Sequence, residues 1–525
     1  MKTDARPSEQ YKSTVRNIMN LLSQQRVDEA VSACLALAAS NPNSNDALLL
    51  LGKARQMQGR YEDMLELVGR ALRREPQNVD LQLQFAGACQ FCGRHDRALA
   101  QLAQLERAAY NNPALLQRVA YSYVQSGQYA DAHRCYLRAV ALDGNNPQYL
   151  NNLGSSFIAV GDLQRAEATY SNVISLAPGN FEAWYNRSTL RKQTEKDNHI
   201  RKLERALNKL RRMDAGETPL CYALAKEYED LGKDQRSFFY LKRGADSLRR
   251  RMGYDVQLDV SLMKRIAELF DQDFAQNAKS AKFRPGPIFV LGLPRSGTTL
   301  VDRILGCHSK VESMGEIDDF ALTLNRVAQT SDRQELLEAS PRLDTDTLGE
   351  EYIRSVTSRG LDAPYFIDKT LTNYLYVGLI AKSLPGASVI HVRRHPVDSC
   401  LSLYRALFRT GNPFSYGLAD LAEYYIAYDA LMRHWRTEFP GLLLDVWYED
   451  LIENQERVSR EIIAHCGLDW EPACLAFEKN MAPVATASAA QVRKPIHREA
   501  LARWRRFESQ LAPLIKRLQQ AGISV

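Results

Sequence analysis

The sequence predicts two joined architectures: an α-solenoid of helix pairs, then an α/β domain with a phosphate-loop-like turn and a parallel sheet. Three observations carry this. Gly59, Gly93, Gly127 and Gly161 recur every 34 residues without a slip, the mark of stacked supersecondary units. From Pro287 to Leu300 the stretch PIFVLGLPRSGTTL runs an apolar strand straight into a glycine-bracketed loop and then a helix. Apolar runs at 288–291, near Val311, and at 365–367, 388–392 and 442–447 alternate with helical stretches, which implies parallel strands with covering helices.

The 525 residues exceed what one core holds, so two or three domains are expected. With 68 basic against 62 acidic residues the net charge is +6, a bias that suits anionic ligands and falls short of a nucleic-acid-binding stripe. Mean hydropathy is -0.37. Nine scattered cysteines, an odd number, point to reduced thiols and a cytoplasmic setting. Cys89 and Cys92 form a lone C-x-x-C inside a helix-period segment and read as core thiols. The opening MKTDARPSEQ is polar and no apolar run reaches membrane-spanning length, so neither a signal peptide nor an anchor is expected.

In the first half, Ala98, Ala132 and Ala166 follow five residues behind their glycines, and Ala30 and Met64 hold the same phase, as do Pro42, Pro76 and Pro178. Small residues are needed where two helices approach closely, and glycine turns the chain between them. Segments such as LLLLGKARQMQGRYEDMLELVGRALRREP resemble tetratricopeptide units. Gln25 stands at the first unit's glycine position, and past Gly179 the period blurs until a degenerate unit appears around Gly232, three residues out of register. The resemblance implies six or seven helix pairs over residues 11–250 after a polar tail (1–10), with a concave groove for a protein or peptide; a dimerisation or structural extension is the alternative. Tyr121, Tyr123, Tyr129 and Tyr136 read as packing residues at helical spacing. A helical connector and basic hinge fill 251–284, and the second domain spans 285–525. The repeats are expected to form a core separate from that domain.

Gly292 and Gly297 have the spacing of a Walker A loop, but Thr298 stands where a nucleotide triphosphatase needs lysine, and the cation, Arg295, sits inside the loop. Such a loop aims backbone N–H groups and a helix N-terminus at one anion. Ligands of parallel sheets sit beyond the carboxyl ends of the strands, so the residues after each run are the ones to read chemically. Arg394 and Ser402 follow the fourth run, with a loop arginine and a hydroxyl two helical turns on; Lys369 follows the third; Tyr448 the fifth.

LPRSGTTL resembles the 5′-phosphosulfate loop of sulfotransferases, enzymes that use 3′-phosphoadenosine 5′-phosphosulfate (PAPS). The resemblance assigns Arg295, Ser296, Gly297, Thr298 and Thr299 to the 5′ end of that donor, Arg394 and Ser402 to its 3′-phosphate, and Tyr448 to an aromatic turn near the nucleotide. It makes Arg295 and Lys369 catalytic cations and Glu316, in ESMGEIDDF, the base, with His308 its rival. QV-x-KP, which holds Arg493 and Lys494, is similar to the lid of tyrosylprotein sulfotransferases. The chain departs from them in lacking an anchor, in having a single Glu316 where they have a glutamate pair, and in placing Asp318 and Asp319 where they place an arginine. The implied activity is sulfuryl transfer from PAPS, without a metal, to a hydroxyl of protein tyrosine or of a glycan, lipid or small molecule. A repeat scaffold with a nucleotide-binding remnant is the reading from another class. Oligomeric state is left open.

Overall fold

The computed structural model describes residues 9–211, 214–277, 279–281, 286–408, 410–480, 482, 496, 498 and 501–525. Its first part is a run of antiparallel helix pairs from Glu9–Ser23 to Asp234–Arg251. The period-34 glycines turn each pair: Gly59, Gly93, Gly127 and Gly161 have φ of 72, 65, 77 and 88°, the left-handed region glycine enters without steric cost. Gln25 adopts the same conformation at φ 59° and Gly232 at 70°, so the first and the degenerate units keep the turn. A second periodic signal closes the other ends. Ser44, Asn78, Asn112, Asn146 and Asn180 each cap the helix that follows by accepting a backbone N–H of its first turn. Ala30, Ala98, Ala132 and Ala166 are buried between helices, as the phase of the sequence requires. The period blurs because the next two helices, Phe181–Thr189 and Ile200–Asn208, are short and joined by an irregular segment.

The second part holds five parallel strands: β1 (Pro287–Leu291), β2 (Val311–Ser313), β3 (Tyr365–Asp368), β4 (Ser388–Arg393) and β5 (Leu443–Trp447), in the order β2-β3-β1-β4-β5. All of β1 is buried. The chain leaves β1 toward β2 and leaves β4 toward β5, so the order reverses between β1 and β4, the crevice where such sheets bind ligands.

The two parts do not have separate cores. Tyr222, Phe238 and Leu241 of the last repeat helices, and Met263, Ile266, Phe270 and Phe274 beyond them, belong to one apolar cluster with Phe289, Tyr404, Trp435 and Phe507 of the sheet domain. The expected independence fails because the last pair's outer face is apolar and the sheet's covering helices supply its partner. Earlier repeats keep clusters largely of their own.

Polar contacts tie a second area. Three repeat turns dock on residues 319–359: Ser331 Oγ donates to Met57 O at 2.5 Å, Ser358 Oγ to Gly93 O at 2.8 Å, and Arg359 Nη1 to Ser126 O at 3.2 Å. At the centre lies Asp319, buried, accepting from His95 Nε2 at 3.0 Å, from Ser355 Oγ at 2.5 Å and from Arg359 Nη2 at 2.5 Å. Burial pushes Asp319 up, but the His95 hydrogen bond and the Arg359 charge outweigh it and hold the carboxyl well below its usual range. Burial likewise holds His95 below its ordinary value, against the pull of Asp319. Both groups bind protons more readily when unfolded, so their stabilisation is present at neutral pH and is lost as pH falls, first through His95 below about 6.5. Thermal melts are expected to show a smaller loss of stability between about pH 7 and pH 5 in His95→Gln than in the parent. Equal slopes would remove His95 from the account.

Candidate anion-binding and transfer site

The loop after β1 is shaped by two glycines that admit no side chain. Gly292 has φ 146°, and a Cβ there would lie 2.6 Å from Val392 O of β4; Gly297 has φ 111°, and its Cβ would lie 2.6 Å from Tyr448 Cδ2. Arg295 is itself left-handed at φ 70°, a conformation costly for a side-chain-bearing residue and one that clusters at functional sites. The helix Thr298–Leu305 starts directly at Gly297, so the positive end of its dipole faces the loop. Ser296, Thr298 and Thr299 are buried there, and the Ser296 hydroxyl has no hydrogen-bond partner among the described residues. A buried orphan hydroxyl beside a helix N-terminus fits an anion's oxygen.

Across the switch point Arg394, just past β4, donates from Nη1 to Arg295 O at 3.2 Å, with its guanidinium 4.9 Å from the Tyr448 ring centre. Arg295, Arg394, Gly297 and Tyr448 therefore form one cluster, whereas Ser402 lies half-buried further along the helix Pro396–Tyr404. Burial, followed by repulsion from Arg405, pushes the Arg295 guanidinium down to about 10. Arg405 and Arg503 join this cluster, though no motif in the sequence marks them. Arg503 is mostly buried, and burial together with Arg405 holds it below its ordinary value. Glu229, at the end of the repeat helix Glu217–Asp230, pairs with Arg405 and lies 3.7 Å from Arg503 and 3.8 Å from Arg506. The cluster is rich in positive charge, as an anion site needs to be.

The remaining chemistry sits at the end of β3. Lys369 is 2% exposed, and its Nζ donates to Glu316 Oε1 at 2.6 Å. It does not pair with its neighbour Asp368, whose carboxylate accepts from Tyr352 OH and Thr370 N, and which burial raises to about 6. Asp302, on the helix behind the loop, lies close enough to Lys369 for that ammonium to oppose the upward push of burial on its carboxyl. Glu316 follows the positive-φ Gly315, just beyond β2, and its side chain is 45% exposed. Ile317 N, donating to Thr370 Oγ1 at 2.9 Å, fixes that segment to the end of β3.

His308 lies beyond the far end of the loop helix. Its Nδ1 accepts from Lys310 N at 3.1 Å and its Nε2 donates to Asp469 O at 2.9 Å, so it ties the turn after that helix to residue 469 and both ring nitrogens are engaged. Arg493 and Lys494 lie outside the described residues. Among the described residues no group of three His, Cys, Asp or Glu side chains is placed to hold a metal, and no helix is long and apolar enough to cross a membrane.

A strand, a glycine-bracketed loop, a helix N-terminus and converging guanidiniums at a switch point define an α/β domain built to bind an anionic group. Residues 287–472 match the Sulfotransferase family, and residues 16–83, 57–118 and 119–181 match tetratricopeptide repeats. An uncharacterized protein of Aquifex aeolicus is 31% identical over 376 residues, 68% of this chain and 48% of its own length. Protein-tyrosine sulfotransferase 1 of Danio rerio is 24% identical over 44% of this chain and 71% of its length, and the Drosophila melanogaster protein-tyrosine sulfotransferase is 25% identical over 41% and 46%. The chain thus spans about half the length of the Aquifex and Drosophila proteins. Among solved structures, the sulfotransferase domain of a Synechococcus olefin synthase is 20% identical, covering 48% of this chain and 99% of its own, with a TM-score of 0.35. A Thermus thermophilus TPR protein is 20% identical, covering 34% and 98%, with a TM-score of 0.27. The chain carries tetratricopeptide repeats followed by a sulfotransferase-family domain, and that family implies a sulfonate donor.

Proposed function

We propose that the protein transfers a sulfuryl group from PAPS to an acceptor hydroxyl, that of a protein tyrosine, and that the repeats bind the acceptor protein or a partner on their concave face. One observation carries the reading. Two arginine-bearing loops, Arg295 after β1 and Arg394 after β4, meet at the switch point, with the Lys369–Glu316 pair beside them at the end of β3. The orphan Ser296 hydroxyl at the start of the loop helix fits an oxygen of a phosphosulfate group. Arg295, Ser296, Gly297, Thr298 and Thr299 hold its 5′ end, Arg394 and Ser402 the 3′-phosphate, with Tyr448 beneath Arg394. When bound, PAPS supplies an activated sulfuryl group and a phosphate as leaving group. Lys369 provides the ammonium that neutralises charge developing on that phosphate, and Glu316 takes the acceptor's proton. Tyrosine as acceptor rests on similarity to the Danio and Drosophila enzymes. Nine free thiols support a cytoplasmic setting.

PAPS, or the 3′,5′-bisphosphate left after transfer, is expected to raise the melting temperature while ATP with magnesium does not. At about a hundred times its dissociation constant a ligand stabilises by roughly 2.7 kcal/mol. Equal stabilisation by ATP with magnesium would point to a triphosphate site. Transfer from radiolabelled PAPS to a tyrosine peptide, set beside glycan, lipid and small-molecule hydroxyls, then identifies the acceptor; binding without transfer to any of them would leave a scaffold.

A further inference from the structure

The repeats touch the sheet domain on both sides of the proposed transfer site. At the first docking turns the two parts are pressed together: a Cβ on Gly59 would lie 2.5 Å from the Thr330 carbonyl carbon, and one on Gly93 2.5 Å from Ser355 Oγ. At the next turn, 34 residues on, a Cβ on Gly127 would meet nothing within 4 Å. Further contacts are made at the helix Phe181–Thr189, where the Tyr185 hydroxyl accepts from Leu407 N at 3.3 Å, and at Tyr222, whose hydroxyl donates to Tyr404 O at 3.1 Å. Open space therefore remains beside Gly127 although its neighbour Ser126 is docked through Arg359, and Glu316, three residues before the Asp319 that Arg359 also holds, has an exposed carboxylate.

Tyr129 stands at the opening's rim, first residue of the helix Tyr129–Leu142 and two residues past Gly127. It is half-buried, unlike Tyr123 and Tyr136, which are core residues, and Tyr121, which faces solvent. Its turn is held at the sheet domain by Arg359, which grips Ser126 O with one nitrogen and Asp319 with the others. Glu316 is near enough that its charge adds to burial in raising the Tyr129 phenol. On the donor side Tyr185 has the matching place, near enough to Arg295 and Arg405 for both charges to act on it.

We infer that the repeats build the acceptor wall of the transfer site, with Tyr129 facing Glu316 across the opening as the residue against which the ring of a phenolic acceptor packs. The inference rests on the reading of Glu316 as the acceptor-side base. An aromatic edge beside a carboxylate suits a phenol, whose ring gains from an aromatic neighbour while its hydroxyl is directed to the acid. It also gives the repeat domain a part in the chemistry beyond recruitment.

Two measurements on the full chain test this. In protein labelled with 3-fluorotyrosine, the fluorine resonance lost in Tyr129→Phe belongs to Tyr129; removing the nearby negative charge in Glu316→Gln is expected to move its ionisation to lower pH. In transfer from PAPS to a neutral decapeptide with one central tyrosine, Tyr129→Ala is expected to raise the peptide KM roughly tenfold to two-hundredfold. Affinity for the 3′,5′-bisphosphate should be unchanged, and Tyr129→Phe should restore most of the loss. An unmoved fluorine titration, or a parental KM in Tyr129→Ala, overturns the proposal. If the parent does not sulfate the peptide at all, the tyrosine-acceptor reading fails, and the fluorine titration still decides whether the repeats face Glu316.

Discussion

A chain that begins at Lys279 is expected not to fold on its own. The cut removes Phe238, whose ring lies 6.1 Å from that of Tyr404 and 5.8 Å from that of Phe507. It also removes Tyr222, edge-on to Tyr416, and Phe270, packed on the fully buried Trp435, with its carbonyl accepting from His434 Nε2 at 2.8 Å. Losing one large apolar side chain from a core costs about 2–5 kcal/mol. Losing Phe238, Leu241, Met263, Ile266, Phe270 and Phe274 together exceeds the 5–15 kcal/mol or so that a domain has in total. Without Glu229, Arg405 and Arg503 would also keep their charges in the interior without that partner. By contrast, a chain starting at Asn45 loses only the terminal helix pair of a stack in which each unit contacts its neighbours, so it is expected to stay folded with a lower melting temperature. Near-ultraviolet circular dichroism and thermal melts of both truncations distinguish the cases. A cooperative, soluble fragment starting at Lys279 would show that the shared cluster is dispensable.

The sequence made the architecture legible wherever a local rule operated. Period-34 glycines gave the turns because a left-handed residue is required at each, and LGLPRSGTT gave the loop because strand, glycines and helix lie within one short stretch. The asparagine caps were equally periodic in the sequence but were overlooked in favour of the glycines and prolines. What was not legible arises from contacts distant in the chain. Arg405 finds Glu229 from 176 residues away and His95 finds Asp319 from 224, and no spacing rule reaches that far. Asp319, which in the sequence is marked only as standing beside Asp318 where an arginine is expected, belongs to the junction between the two halves. Lys369 had two acids to choose from; the end of β3 turns Asp368 inward to Tyr352 and leaves the ammonium to Glu316. Tyr129 and Tyr136 are alike at helical spacing, and only the seating of the Gly127 turn beside the sheet domain separates a rim residue from a core residue.

Glu316→Gln is expected to lower turnover by about a hundredfold to ten-thousandfold, the range a positioned general base supplies, with affinity for the 3′,5′-bisphosphate nearly unchanged. A carboxylate is a far weaker base than a phenolate, so it accepts the proton only as the new oxygen–sulfur bond forms, and its contribution belongs to the transition state. That places the loss in kcat more than in KM. The pair with Lys369 sharpens the test. At 2.6 Å Glu316 and Lys369 neutralise each other; on the proposed mechanism Lys369 would turn to the leaving phosphate and Glu316 to the acceptor, and the two would act as a unit. Lys369→Met is therefore expected to cost a similar factor, and Glu316→Gln/Lys369→Met far less than the product of the two. His308→Asn, which breaks both ring hydrogen bonds at the helix end, should lower the melting temperature and leave the rate of the folded enzyme near that of the parent. Single-turnover transfer from radiolabelled PAPS measures all four variants. If Glu316→Gln turns over at the parental rate while His308→Asn does not, the proton goes to His308; if the double variant's loss equals the product of the singles, the pair seen at the end of β3 is a resting contact with no part in the reaction.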